Sequence, residues 1–254
     1  EYDVVVIGGG AAGMSAALSV HKHGFRCAIV EREDHLGGIL LQCIHNGFGL
    51  QEFKKEFTGP EYADEFIQQV RSEDIDVYER TTVMSLSPTD GGHESYCYPP
   101  PNGVIRRSSP PRAPATGPGT RPAGVYTAGL AQRLVNIEGY IPGKDVVIIG
   151  SGDIGLIMAR RMTWSGSTVH AVVEIQPYPS GLTRNIVQCL NDFDIPLYLS
   201  HVISRIEGHD RVERVEVTPL VDGIPDTDQA FYVDCDTVLL SVGLIPENEL
   251  SKQA

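Results

Sequence analysis

Two glycine-rich turns, each set between an apolar strand and a helix, constrain this chain more than any other feature of its sequence. The first lies in Val4-Val5-Val6-Ile7-Gly8-Gly9-Gly10-Ala11-Ala12-Gly13, the second in Val146-Val147-Ile148-Ile149-Gly150-Ser151-Gly152-Asp153-Ile154-Gly155. In the pattern G-x-G-x-x-G the first glycine makes the tight turn, the second lets backbone approach a pyrophosphate, and the third packs helix against strand. The helix N-terminus then offers its amides to the phosphates. A bare match means little, because glycine clusters also make ordinary turns, so the flanks decide. Residues 11–18 have strong helix composition, and a second apolar strand follows at 27–30, ending in Glu31. Glu31 lies 18 residues after Gly13 and Glu174 lies 19 after Gly155. Both are close to the roughly 20 at which a carboxylate accepts from a ribose hydroxyl.

Two copies of one ligand-binding device, about 140 residues apart, predict an α/β protein with two Rossmann-like dinucleotide-binding domains. Each is a three-layer domain with a parallel sheet and a β-meander. The expected divisions are a first, FAD-binding domain over 1–87, a proline-rich linker or irregular segment over 88–122, and an NAD-binding domain over 123–254. Residues 60–74 read as an amphipathic helix with Tyr62, Phe66 and Val70 at a spacing of four, and 75–86 alternate like strands. In 88–122 so much proline occurs that only Gly103-Val104-Ile105 is expected to pair. Beyond the second glycine turn the pattern predicts a helix over 184–191, strands at 196–199, 202–207, 212–218 and 231–235, and a buried apolar strand from Thr237 that ends at Gly243.

The net charge of −13 argues against nucleic acid and anionic membrane as partners. No apolar run is long enough to span a bilayer and no leader precedes Tyr2, so the expected location is cytoplasmic. The five cysteines, at 27, 43, 97, 189 and 235, show no C-x-x-C spacing and read as reduced thiols. The chain starts without methionine and stops at Ala254 just after a strand, which suggests the ends of a fragment. One nicotinamide needs one dinucleotide site. A second site implies a second redox carrier, most simply FAD, and hence a hydride relay.

The pairing of VVIGGGAAG with VVIIGSGDIG, together with LGG after Glu31 and SVGLIPEN near the end, resembles the flavoprotein pyridine nucleotide-disulfide oxidoreductases. The strings GGILLQCIHNGFGL, GTRPAGVYTAG, SGDIGLIMARRM and GLTRNIVQCL are similar to a bacterial branch often encoded beside glycerol 3-phosphate dehydrogenase. The resemblance implies FAD at the first motif and the nicotinamide cofactor at the second. It therefore marks Gly8, Gly10, Ala12, Gly13, Glu31, Arg32 and Gly38 as FAD contacts. Gly150, Gly152, Asp153, Gly155, Glu174 and Gly243 are marked on the nicotinamide side. A carboxylate at 174 repels a 2′-phosphate and no arginine follows until Arg184, so NADH is expected over NADPH; the plainer reading of Glu174 is a solvated strand end. The chain departs from the family twice. Its Ala115-Thr116-Gly117 is preceded by Arg112-Ala113-Pro114, not by an apolar strand. The return to the FAD domain after SVGLIPEN, with an Asp for the flavin ribityl chain, is not reached, so the FAD domain reads as incomplete at its C-terminal end.

On the acceptor side Cys43 sits five residues after Gly38, near where relatives place a cysteine over the flavin, and His45 could donate a proton to a reduced acceptor near neutral pH. With no second cysteine four or five residues away, an intramolecular dithiol cycle is not expected. A small semi-buried thiol and a histidine bonded to nearby backbone are the plainer readings. Cys27, Cys189, Cys235 and Trp164 are expected to pack in the core, and Asp153 either caps its helix or meets the cofactor. The function expected is a flavin-dependent NADH oxidoreductase passing electrons to a partner subunit or another unidentified acceptor. The alternatives are a non-catalytic NAD-binding piece of a larger flavoprotein and a flavin-dependent amine or hydroxy-acid oxidase.

Overall fold

The computed structural model describes residues 1–89, 92–98, 122–244 and 248–253. They form two compact units, one of 1–98 with 248–253 and the other of 122–244.

The first unit opens with β1 (Val4–Ile7), α1 (Ala11–Lys22) and β2 (Cys27–Val30). β1 and β2 run parallel in the register Val4 with Cys27 through Ile7 with Val30. The short strands β3 (Asn46–Phe48) and β4 (Phe57–Thr58) pair with each other and lead into α2 (Gly59–Ser72). α2 begins with a capping box, in which the Glu61 carboxylate accepts from the Thr58 amide at 2.8 Å. Its Tyr62, Phe66 and Val70 stripe does face the core: Phe66 and Val70 join Met14 and Ala17 of α1 against Cys27 and Ile29 of β2. β5 (Asp76–Tyr78) then adds in parallel beside β2, giving the order β1-β2-β5.

A hairpin follows, β6 (Thr82–Thr89) with antiparallel β7 (Gly92–Tyr98). This differs from the irregular segment expected from residue 88 onward. The physical reason is local: residues 92–98 contain no proline, and the tract that gives 88–122 its composition begins at Pro99. Gly103-Val104-Ile105 and Ala115-Thr116-Gly117 lie outside the described residues. Residues 248–253, expected with the second domain, sit with this unit, where the Leu86 amide donates to Gln253 Oε1 at 3.0 Å.

The second unit contains β8 (Val125–Thr127), α3 (Ala128–Asn136), β9 (Asp145–Ile149), α4 (Asp153–Trp164), β10 (Thr168–Glu174), α5 (Thr183–Cys189), β11 (Leu197–Leu199), β12 (His201–Glu207), β13 (Arg214–Val221), β14 (Ile224–Pro225), β15 (Phe231–Asp234) and β16 (Thr237–Leu240). Its parallel sheet has the order β11-β10-β9-β16-β8. Alternation along the central strands, reset by a bulge between Val169 and Ala171 of β10, makes three layers. Val146, Ile148, Val172 and Leu239 pack with Leu156, Met158 and Met162 of α4. Val147, Ala171, Val173 and Val238 pack instead with Val215 and Val217 of β13, in the antiparallel meander of β12, β13 and β15. Burial on both faces explains why these strands read as continuous apolar runs. Trp164 corrects the sequence expectation: it is 62% exposed, edge-on to Phe193 with the Arg160 guanidinium over its ring. The buried positions of α4 run from Gly155 to Ala159 and recur at Met162, so the last residue of the helix turns away from the sheet.

Candidate functional site

Each glycine turn sits at the carboxyl end of the first strand of its βαβ unit, and its three glycines divide the work alike in both units. Gly8 and Gly150 take φ of 101° and 96°, which side chains rarely adopt. A Cβ on Gly13 would lie 1.9 Å from the Gly8 carbonyl oxygen, and one on Gly155 would lie 2.5 Å from that of Gly150. These glycines let helix and turn touch. Gly10 and Gly152 are the opposite case: a Cβ on Gly10 meets nothing within 4 Å, and one on Gly152 only Ser180 Oγ at 4.0 Å. The middle position therefore faces open space beside the N-termini of α1 and α4, where the pattern expects a pyrophosphate. Gly37 and Gly38 back the first turn. The Gly37 amide donates to the Gly9 carbonyl at 2.8 Å, and a Cβ on Gly38 would stand 3.0 Å from the Gly10 Cα. Ala12 lies exposed in the first turn of α1, Arg32 is exposed beside Glu31, and Gly243 follows β16 with φ 134° and open surroundings.

The two acidic residues are buried, Glu31 6% and Glu174 5% exposed, so neither is a solvated strand end. Both turn back onto their own glycine loop in the same way. Glu31 Oε2 accepts from the Gly9 amide at 2.6 Å and Oε1 from the Glu33 amide at 2.8 Å. Glu174 Oε2 accepts from the Ser151 amide at 2.9 Å and Oε1 from the Gln176 amide at 3.0 Å. The second cradle adds hydroxyls: Ser151 Oγ donates to Glu174 Oε2 at 2.6 Å and Ser180 Oγ at 3.3 Å. Burial pushes the Glu174 carboxyl up, but the Ser151 hydroxyl, the Gln176 and Ser151 amides and the Ser180 hydroxyl together hold it below the usual carboxylate range. A carboxylate has about four lone-pair sites; Glu31 accepts from two donors, one on each oxygen, and Glu174 has three on Oε2 but one on Oε1, so an acceptor site for a ribose hydroxyl is left on Glu31 and on Oε1 of Glu174.

Sequence reasoning missed Gly9, Ser151 and Ser180. Gly9 and Ser151 fill the variable second position of the motif, and the signal that could have found them is chain geometry, since that amide is the nearest donor to a carboxylate on the neighbouring strand end. Asp153 does not cap its own helix; its Oδ1 accepts from the Leu182 amide and from Asn185 Nδ2, both at 2.8 Å, and so ties the start of α5 to α4.

Cys43 is buried at the end of the turn Gly38–Gln42, where its carbonyl accepts from the Gly59 amide at 2.8 Å and its Cβ lies 2.8 Å from where a Gly59 side chain would begin. His45 Nδ1 meets the Asn46 carbonyl at 3.0 Å and so carries the proton, while its buried Nε2 has no partner among the described residues. The ring lies against Phe48 at 5.3 Å. Cys27, Cys189 and Cys235 are buried, as expected, and burial raises all three thiols, Cys235 to about 12 with Asp236 adding to the effect. Among the described residues no cluster of His, Cys, Asp or Glu is arranged to hold a metal ion, and no helix is long and apolar enough to cross a membrane.

The family model for pyridine nucleotide-disulphide oxidoreductases matches residues 2–254. Among curated relatives, the NAD(P)H sulfur oxidoreductase (CoA-dependent) of Pyrococcus abyssi is 30% identical over 264 residues, covering 98% of this chain and 55% of that protein. The NAD(P)H coenzyme A polysulfide/persulfide reductase of Pyrococcus horikoshii is 29% identical over 270 residues, covering 98% of this chain and 55% of that protein. The chain thus spans about half the length of the curated relatives it matches. Among solved structures, T. acidophilum thioredoxin reductase superposes with a TM-score of 0.71 at 24% identity, covering 100% of this chain and 80% of that one.

Proposed function

Because the chain belongs to the pyridine nucleotide-disulphide oxidoreductases, we propose that it acts as a flavin-dependent NADH oxidoreductase, with FAD at the first cradle and NADH at the second. When bound, FAD supplies the two-electron chemistry that links a hydride donor to an acceptor. The observation that supports this reading best is the repeated carboxylate clamp, made by Glu31 on Gly9 and by Glu174 on Ser151, each beside a glycine whose missing side chain leaves open space. That combination fits a pyrophosphate over Gly10 or Gly152 with the adjoining ribose hydroxyls on Glu31 or Glu174. A buried anion at 174 also stands where a 2′-phosphate would bring further negative charge, which favours NADH over NADPH.

The residues of the first unit have separate tasks. Gly37 and Gly38 support the turn from behind, and α1 directs its free amides at the ligand. His45, with Nδ1 donating to the Asn46 carbonyl, keeps its buried Nε2 as a proton acceptor. Cys43 is buried with its Cβ close against Gly59, so we assign it to packing beside the cofactor and not to a dithiol cycle. The alternative of a non-catalytic NAD-binding piece is not favoured, because the first unit carries the same clamp as the second. The test is the visible spectrum of the purified protein followed by anaerobic titration with NADH and NADPH. A flavin band bleached by about one equivalent of NADH, and poorly by NADPH, is expected. A colourless protein, or a flavin reduced by an amine or hydroxy acid but not by NADH, overturns the reading.

A further inference from the structure

After Glu31 the first cradle continues with Arg32, Glu33, Asp34 and His35, all polar. After Glu174 the second continues with Ile175, Gln176, Pro177, Tyr178 and Pro179. Ile175 is 56% exposed and Tyr178 61%, and Ile154 in the first turn of α4 and Leu182 before α5 are also exposed. The second cradle thus follows its buried carboxylate with exposed apolar side chains where the first has only polar ones.

The short excursion is anchored at both ends. The Gln176 amide donates to Glu174 Oε1, and the Gln176 carbonyl accepts from the Ser200 amide at 3.0 Å. At the far end the Ser180 amide donates to Ser151 Oγ and the Gly181 amide to the Ser151 carbonyl, both at 2.9 Å. Between these anchors Tyr178 lies between two prolines, one fixing φ just before it and the other restricting its own backbone. An aromatic ring is thereby presented to solvent on a stiff loop whose two ends meet at the ribose-binding carboxylate and the glycine turn.

We propose that Tyr178 is the adenine platform of the second cradle, its ring stacking on the base of the dinucleotide whose ribose is held by Glu174. The proposal rests on the function given above and adds to it the group that reads the adenine half. A flat heteroaromatic base suits a tyrosine held between two prolines, and such stacking is sequence-tolerant and strong for its area. The ring contributes to binding the whole dinucleotide and nothing to binding of the nicotinamide half.

The test compares Tyr178→Ala and Tyr178→Phe with the unaltered chain, as purified, in equilibrium binding of NADH, ADP-ribose and reduced nicotinamide mononucleotide. The alanine variant is expected to weaken NADH and ADP-ribose alike, by about 5- to 150-fold, with the mononucleotide unchanged and phenylalanine restoring affinity to within about twofold. An alanine variant that holds NADH as tightly as the original, or that loses the mononucleotide in equal measure, overturns the proposal. Failure of the unaltered chain to bind NADH overturns the functional reading instead.

Discussion

Alanine at the middle and third glycines of one motif should produce opposite defects. Gly152 has φ −64° and ψ 162°, a backbone any residue adopts, and its Cβ would meet only Ser180 Oγ at 4.0 Å. Gly152→Ala should therefore fold at least as well as the original, with up to about 1 kcal/mol gained from a less flexible unfolded chain. The added methyl would occupy the space assigned to a pyrophosphate, at a cost of about 1–3 kcal/mol, or roughly 5- to 150-fold in NADH affinity. At Gly155 the Cβ would stand 2.5 Å from the Gly150 carbonyl oxygen and 3.1 Å from Ser241 Cβ. Neither the turn nor Ser241, just past β16, can yield without repacking, so about 1–3 kcal/mol of stability is lost. For a chain of this size that lowers Tm by about 2–12 °C. Differential scanning fluorimetry and NADH titration on both variants separate the effects. A Gly152→Ala protein that binds NADH as tightly as the original would refute the placement of the pyrophosphate, whatever its Tm.

Substitutions at Glu174 follow from its inward hydrogen bonds. Glu174→Gln sets a side-chain amide against donors that need acceptors, at about 1–3 kcal/mol. Glu174→Arg, which sequence reasoning alone would choose to admit NADPH, places a cation before the Ser151 and Gln176 amides and should destabilise the second unit before it changes selectivity; a well-folded arginine variant with good NADPH affinity would count against this. Acid should act through the same group and through Asp236, whose carboxyl is raised by burial but lowered further by the Lys144 amide, the Thr237 hydroxyl, the Asp145 amide and Arg211. Both folded values lie below the reference values of 4.5 and 3.8. Their stabilisation is therefore complete above those values and fades as pH falls through the folded ones. The urea midpoint should drop below about pH 4.5, less steeply in Glu174→Gln. Iodoacetamide labelling mapped by mass spectrometry should reach half-buried Cys97 before buried Cys27, Cys189 and Cys235; early labelling of Cys235 would contradict the burial argument.

Much of the fold was legible because its signals are local. Four β-branched residues before Gly8, the alanine-rich start of α1 and the apolar runs of β9, β10 and β16 each state their element without reference to the rest of the chain. The hairpin of β6 and β7 was hidden by averaging composition over a window that joins residues 92–98 to the prolines beyond them. Trp164 misled because a large aromatic side chain says nothing about which way the last turn of its helix points. The site was legible in its glycines and acids, yet not in the direction those acids face. A spacing of 18 or 19 residues places a carboxylate near a ribose; only the packed structure shows it closing onto the amide of Gly9 or Ser151.

That inward direction changes what the acid is for. A carboxylate accepting from its own loop and from the residue two positions on locks the turn, the strand end and the departing backbone into one frame before any ligand arrives. Binding then costs less ordering of the loop, and affinity lost on changing the acid mixes a missing ribose contact with a loosened turn. The two can be told apart at Ser151, whose hydroxyl braces Glu174 from the side of the turn. Ser151→Ala keeps the carboxylate and its amide bonds while removing that brace and the hydroxyl that accepts from Ser180. If pre-organisation carries weight, the variant should lose NADH affinity several-fold with the carboxylate intact; unchanged affinity would assign the whole effect to direct contact with the sugar.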